Sequence, residues 1–300
     1  MNKMVSYIYI LIAASLWGCL GMCNRFLTSF GFSQSQILFV RCLLPALVLF
    51  VYLLLRHREA FRIKLKDLWC FLGSGLLSFT AFVLAYNHAM QCMSLSLAVV
   101  LLYTAPIWVV LLSAMFFKER LSIQKALALL CIVIGALCTS GALNGSFELS
   151  PFGVLMGVIS GLGYALYSIF SRFAFLRGYS SLTVTFYTFL FSLVATSFIS
   201  EPCAIVPLMR GVDVLFWVLA ISIGSTLLAY VFYTKGLEHV ENSRASVLST
   251  IELVVASLIS VALFNEPFGL QNALGIVFVI AGIAVINMPT KQHEAASHSR

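Results

Sequence analysis

Ten runs of about twenty predominantly apolar residues follow one another along this chain, and that succession leaves very few folds open. Lipid offers no partner to a backbone N–H or C=O, so a spanning segment is either a helix or a strand of a closed barrel. Barrel strands alternate polar and apolar residues over about ten positions, whereas these runs stay predominantly apolar for about twenty, which points to helices. They lie at roughly 5–26, 34–55, 68–88, 94–116 and 123–141, then at roughly 152–171, 181–200, 214–235, 244–264 and 268–288. Of the 300 residues 61% are hydrophobic and 10% charged, too little polar material to cover a water-facing surface. The predicted fold class is therefore an all-α polytopic membrane protein with ten transmembrane helices.

The second set of five runs repeats the first. Shifted by 147 residues without a gap, Tyr86 falls on Tyr233, Leu111 on Leu258, Ser113 on Ser260 and Phe117 on Phe264. Glu119 falls on Glu266, Gln124 on Gln271, Gly135 on Gly282, and Arg25-Phe26 on Arg172-Phe173. A copy with an odd number of spans forces the next copy to enter the bilayer upside down. The expected organisation is a first five-helix repeat over 1–145, an inverted five-helix repeat over 146–290, and a disordered cytoplasmic tail over 291–300. Inverted repeats place two like scaffolds around one midplane site, the arrangement by which many secondary transporters alternate access.

Charge sets the direction. With the N-terminus inside, 15 of the 18 basic residues fall on the cytoplasmic side, among them Arg56, Arg58, Arg62, Lys64 and Lys66 of one loop. Only Arg25 and Arg210 fall outside, and Arg41 lies within a span. The net charge of +7 thus reads as membrane orientation and not as a nucleic-acid surface. The expected location is the cell membrane, multi-pass, with both termini cytoplasmic. The N-terminal run aligns with an internal helix of the second copy and lacks a small-residue cleavage site, so it reads as the first span.

Two intramembrane charges and a set of aromatics are the candidate site. Glu252 is the only acid near the middle of a span, where a carboxylate costs several kcal/mol unless protonated, paired or hydrated. It continues a stripe of Asn242, Ser246, Ser249 and then small Ala256 at helical spacing. Proton exchange, a cationic substrate group, or a buried acid bonded between helices all fit it. Arg41 fits a substrate carboxylate, a pairing with Glu252, or a stem that snorkels to the outer interface. Across the repeat Arg41 falls on Thr188 and Glu252 on Ala105, so the copies differ where the charges sit. Trp17, Tyr86, Tyr103, Tyr164, Tyr230 and Tyr233 can stack on a solute and still donate a hydrogen bond, or simply pack helices. Asn87 can bond across helices, and Pro45 and Pro106 can kink theirs. The Glu119 and Glu266 turns sit at helix ends, where capping or hinge work is expected. The eight cysteines form no CxxC pair and no metal cluster, although Cys92 and Cys203 both reach the outer side and leave a disulfide open.

Several of these segments resemble the drug/metabolite transporter superfamily, specifically its EamA-type members. They are Trp17-Gly18, Arg41, Tyr86-Asn87-His88-Ala89, Leu102-Tyr103-Thr104-Ala105-Pro106, and the turns Phe117-Lys118-Glu119-Arg120-Leu121 and Phe264-Asn265-Glu266-Pro267. The resemblance covers nearly the whole chain. It implies a central cavity lined by the first four helices of each copy, with the fifth and tenth as peripheral braces in which Gly135 and Gly282 permit close contact. It also implies export of amino acids or related small-molecule solutes, and under that reading Glu252 would exchange protons as the coupling ion. Uptake of a cationic or zwitterionic solute is the alternative. A receptor, a scaffold or a membrane-embedded enzyme stays open as well, but no Ser/His/Asp set, HExxH motif, Walker loop or cofactor motif is present.

Overall fold

A computed structural model describes residues 3–142 and 150–288, so the segment joining the repeats and the tail over 291–300 lie outside the described residues. Ten helices follow in order: α1 Lys3–Ser29, α2 Gln34–Arg56, α3 Leu65–Cys92, α4 Leu95–Phe117, α5 Ile123–Thr139, α6 Pro151–Leu176, α7 Ser181–Ser197, α8 Val212–Leu237, α9 Asn242–Phe264 and α10 Leu270–Asn287. Among the described residues there is no strand. Eight of the ten are long and apolar enough to cross a membrane by themselves. The other two, α5 and α7, have 17 residues each, a rise of about 25 Å and the lower limit for a span. After α7 the chain bends by 90° into a short turn over Pro202–Leu208. The helices outrun several of the apolar runs: 68–88 grows to Leu65–Cys92 and 152–171 to Pro151–Leu176. Hydropathy marks the thickness of lipid, and polar residues beyond it still take helical dihedrals.

The repeat is written in the backbone as well as in the side chains. The third helix of each copy carries a π-helical stretch at the matching place, Gly73–Thr80 in α3 and Ala220–Leu228 in α8. A π turn displaces carbonyls from their usual partners, and Gly75 O is taken up by the hydroxyls of Thr80 at 2.9 Å and Ser192 at 2.8 Å. The fourth helix of each copy is broken at matching residues, Tyr103-Thr104 in α4 and Thr250 in α9. Pro106 therefore opens the second half of α4 rather than kinking it, while Pro45 sits inside an unbroken α2. Both fourth helices end on a left-handed residue, Lys118 at φ 56° and Asn265 at φ 51°. The glutamate after each returns its N–H to a serine carbonyl, Ser113 at 3.2 Å and Ser260 at 3.3 Å. The first helices differ: α1 is interrupted at Cys19, whereas α6 runs without a break.

The braces α5 and α10 pack backbone to backbone. A Cβ on Gly135 would stand 2.7 Å from Val279 Cγ2, one on Gly275 2.9 Å from Thr139 N, and one on Gly282 3.0 Å from Ala128 O. Gly275→Val should destabilise the detergent-solubilised protein by about 1–3 kcal/mol, the usual cost of overpacking, because the neighbour that must yield is main chain. A parental melting temperature for that variant would contradict the packing. All eight cysteines carry free thiols, including Cys92 and the exposed Cys203.

Candidate functional site

The ten helices leave a central cavity of about 690 Å³, within the range of small-molecule sites. Its mouth is ringed by Arg25, Gln34, Ser96, Ser140, Glu266 and Asn272. These residues stand at the end of α1, the start of α2, the start of α4, just past α5, just past α9 and the start of α10. With alternating helix directions, all of them lie on the face opposite the two described chain ends. We call that face the far face, and the face holding Lys3 and Asn287 the terminal face. The first four helices of each copy do not line the cavity alone, because Thr139, Ser140 and Asn272 bring the braces to its rim.

The floor is aromatic. The Trp17 ring lies 6.0 Å from Tyr164, 5.2 Å from Tyr230 and 5.0 Å from Tyr233. Edge and tilted contacts of this kind suit the ring quadrupoles and close the bundle to solvent. Trp17, Tyr164 and Tyr230 reach the cavity, and Tyr86, Asn87 and Tyr103 line it above them. Tyr233 and Ser249 do not line it; they border a small void of about 10 Å³ on the terminal side of the floor. There the Tyr233 hydroxyl shares a hydrogen with Ser168 at 2.8 Å, and Tyr167 with Thr234 at 2.5 Å. The polar stripe of α9 accordingly crosses the whole molecule: Asn242 at the terminal end, Ser246 and Ser249 in the void, Glu252 and Ala256 in the cavity.

The break in α9 puts Glu252 in the first turn of a half-helix, Ile251–Phe264. Its Oε1 accepts from the Tyr164 hydroxyl at 3.1 Å, and Tyr103 lines the cavity beside it. Gly18 is the residue that admits this geometry. A Cβ there would fall 2.6 Å from Val255 Cβ and 3.0 Å from Glu252 O, so α1 packs directly on the turn that carries the acid. Arg41 does not snorkel. Its guanidinium turns into the bundle, donating from Nε to Thr226 Oγ1 at 3.1 Å and lying 5.5 Å from the centre of the Phe79 ring. Thr226 belongs to the π-helical stretch of α8, which thereby holds the arginine from the second repeat. Among the described residues no ion pair joins Arg41 to Glu252, and both residues line the cavity.

The sequence profile of the EamA-like transporter family matches this chain twice, over residues 4–141 and 151–288. The chain belongs to the EamA-like transporter family. An uncharacterized transporter of Archaeoglobus fulgidus is 30% identical over 217 residues, 71% of this chain and 74% of that protein. The uncharacterized inner membrane transporter YicL of Salmonella typhimurium is 24% identical over 294 residues, 96% of this chain and 97% of that one. A protein crystal structure superposes with a TM-score of 0.77 at 22% identity, covering 95% of this chain and 97% of the other, and shows the same fold.

In this EamA-like transporter both profile matches line the one cavity, with Arg41 and Tyr103 from the first and Tyr164 and Glu252 from the second. Sequence reasoning missed part of it. Phe82 packs 5.5 Å from Tyr164 and lines the cavity, and Asn24 donates to Gln34 Oε1 at 3.1 Å near its mouth. Lys125, one of the 15 basic residues counted to the cytoplasmic side, is only 8% exposed. Its place at the start of an apolar run was the available signal.

Proposed function

We propose that this transporter exports amino acids or closely related small metabolites by alternating access, with proton exchange at Glu252. The observation that supports this reading is the pair of unjoined opposite charges in one aromatic-floored cavity. A zwitterionic solute can present its carboxylate to Arg41, where a guanidinium gives charge-assisted hydrogen bonds. Its ammonium can then lie at Glu252 among Trp17, Tyr164 and Tyr230, where aromatic faces favour a cation. Once the solute leaves, Glu252 can take a proton in its place, which would couple the two fluxes by competition for one carboxyl.

Orientation belongs to the same proposal. The basic loop over 56–66 and most other cations stand on the terminal face, so that face is assigned to the cytoplasm. The cavity is then open outward, and the aromatic floor shuts the cytoplasmic side. Export as the direction rests on the resemblance to EamA-type proteins.

Flux of labelled amino acids in proteoliposomes, with and without an imposed pH gradient, tests the reading. The expected result for Glu252→Gln is gradient-driven flux no higher than flux without a gradient. Unchanged gradient-driven flux in that variant would remove Glu252 from proton coupling. Counterflow with labelled amines against neutral amino acids separates export of zwitterions from the alternative, uptake of a cationic solute: trans-acceleration by amines alone would favour the latter.

A further inference from the structure

The terminal face is shut by a carboxylate. Glu119, just past the left-handed turn that ends α4, accepts the N–H of Asn242 at 2.9 Å, the N–H of Ser243 at 3.3 Å and the Ser243 hydroxyl. These are the first amides of α9, which have no carbonyl of their own helix to bond. Lys125 reaches the same carboxylate at 3.2 Å, with both side chains about a tenth exposed. From α6, Arg172 holds the start of α9 through Asn242 Oδ1 at 3.0 Å and the carbonyl of Val240. The ends of α4, α5 and α9 thus meet on one glutamate, and α6 ties down the same start of α9.

The repeat supplies the same parts on the far face, unassembled. Glu119 corresponds to Glu266, Ser243 to Ser96, and Arg172 to Arg25, each identical after the 147-residue shift. There Glu266 pairs with Arg25 at 2.9 Å across the cavity mouth, 48% and 59% exposed. The Ser96 hydroxyl donates instead to Ser140 O at 2.5 Å, and Ser94 gives the start of α4 no side-chain cap. An acceptor therefore stands at the mouth, and among the described residues no carboxylate caps the helix end that matches the one capped by Glu119.

We propose that Glu119 and Glu266 are alternating latches of the transport cycle: when Glu119 releases α9 and the terminal face opens, Glu266 caps α4 at Leu95 and Ser96 and closes the far face. This rests on the alternating-access reading above. Asn272 stands where the terminal latch has Lys125, so the far latch is the weaker one, in keeping with a cavity open on the far side.

Site-resolved labelling with a membrane-impermeant maleimide, read by mass spectrometry on vesicles of both orientations, tests it without a known solute. Ser246→Cys reports the void behind the floor from the terminal face, and Ser257→Cys reports the cavity from the far face. Losing a charge-assisted cap should shift the balance of states about tenfold. Glu119→Gln is expected to raise labelling at position 246 and lower it at position 257. Glu266→Gln is expected to do the reverse, and because its pair is exposed it should leave the fold intact and carry the test even if Glu119→Gln does not fold. Labelling at position 246 that is measurable in the parent but unmoved by Glu266→Gln would overturn the latch and leave alternating access standing. If both variants move both positions in the same direction, the glutamates are structural only and the latch is overturned. No terminal-face labelling at position 246 in any background would overturn alternating access and the latch with it.

Discussion

Arg41→Met is expected to weaken binding of carboxylate-bearing solutes by about 10- to 150-fold, the equivalent of roughly 1.5–3 kcal/mol for hydrogen bonds to a charged group. The variant keeps the apolar stem and the helix propensity and removes only the guanidinium. Its fold should survive, since no ion pair of Arg41 among the described residues is broken and no partner charge is left buried alone. Within the protein the change removes one hydrogen bond to Thr226 and the approach to Phe79. Solutes that carry an amine but no carboxylate should bind about as before. Arg41→Lys should recover only part of the affinity, because a point charge cannot reproduce the planar fork. Thermal-shift titration of the purified protein against amino acids, amines and carboxylates reads all three outcomes. Parental affinity for carboxylates in a folded Arg41→Met would take the anion site away from this residue.

Gly18→Leu should lower transport at least tenfold and destabilise the protein by about 1–3 kcal/mol, since the core has no room for the new atoms. The clash begins at the first added carbon, 2.6 Å from Val255 Cβ. Relief requires α1 to move away from α9, carrying Trp17 out of the floor and changing the surroundings of Glu252. The comparison is Gly21→Ala, about one turn along α1, where an added Cβ meets nothing within 4 Å. That change should cost nothing and can gain a little from helix propensity. Melting temperature and flux of the two variants side by side decide the matter; parental values for Gly18→Leu would show that α1 and α9 do not pack so closely.

Most of the architecture was legible because hydropathy and the 147-residue shift both report on length and order, which lipid enforces strictly. The close approach of α5 and α10 was legible too, through Gly135 and Gly282. The breaks were not. Pro106 marks one in α4, but its mate at Thr250 has no proline, and only the three-dimensional repeat equates them. The π-helical stretches were equally silent, since an i→i+5 turn uses the same residues as an i→i+4 turn. Arg41 shows a different limit: an arginine two turns from a helix end has a stem long enough to reach either the interface or the bundle interior. The hydroxyl of Thr226, 185 residues away, receives it inside. The aromatic set was readable as a group, yet not which members face solute. Ser249 lies behind the floor because the polar stripe of α9 passes through it, and Tyr233 of α8 borders the same void.

The seam between α5 and α10 has a mechanical consequence. Glycine-lined backbones in contact resist being pulled apart, but they present few side chains to interlock and so oppose turning only weakly. Helices α2 and α7 pack on each other away from that seam, whereas α9 lies against α10. In any rotation about such an off-centre axle, displacement grows with distance from it, so the wall carrying Arg41 sweeps through a longer arc than the turn carrying Glu252. The zwitterionic solute proposed above, held at both ends, would then feel alternating access as a change in the span between its two charges.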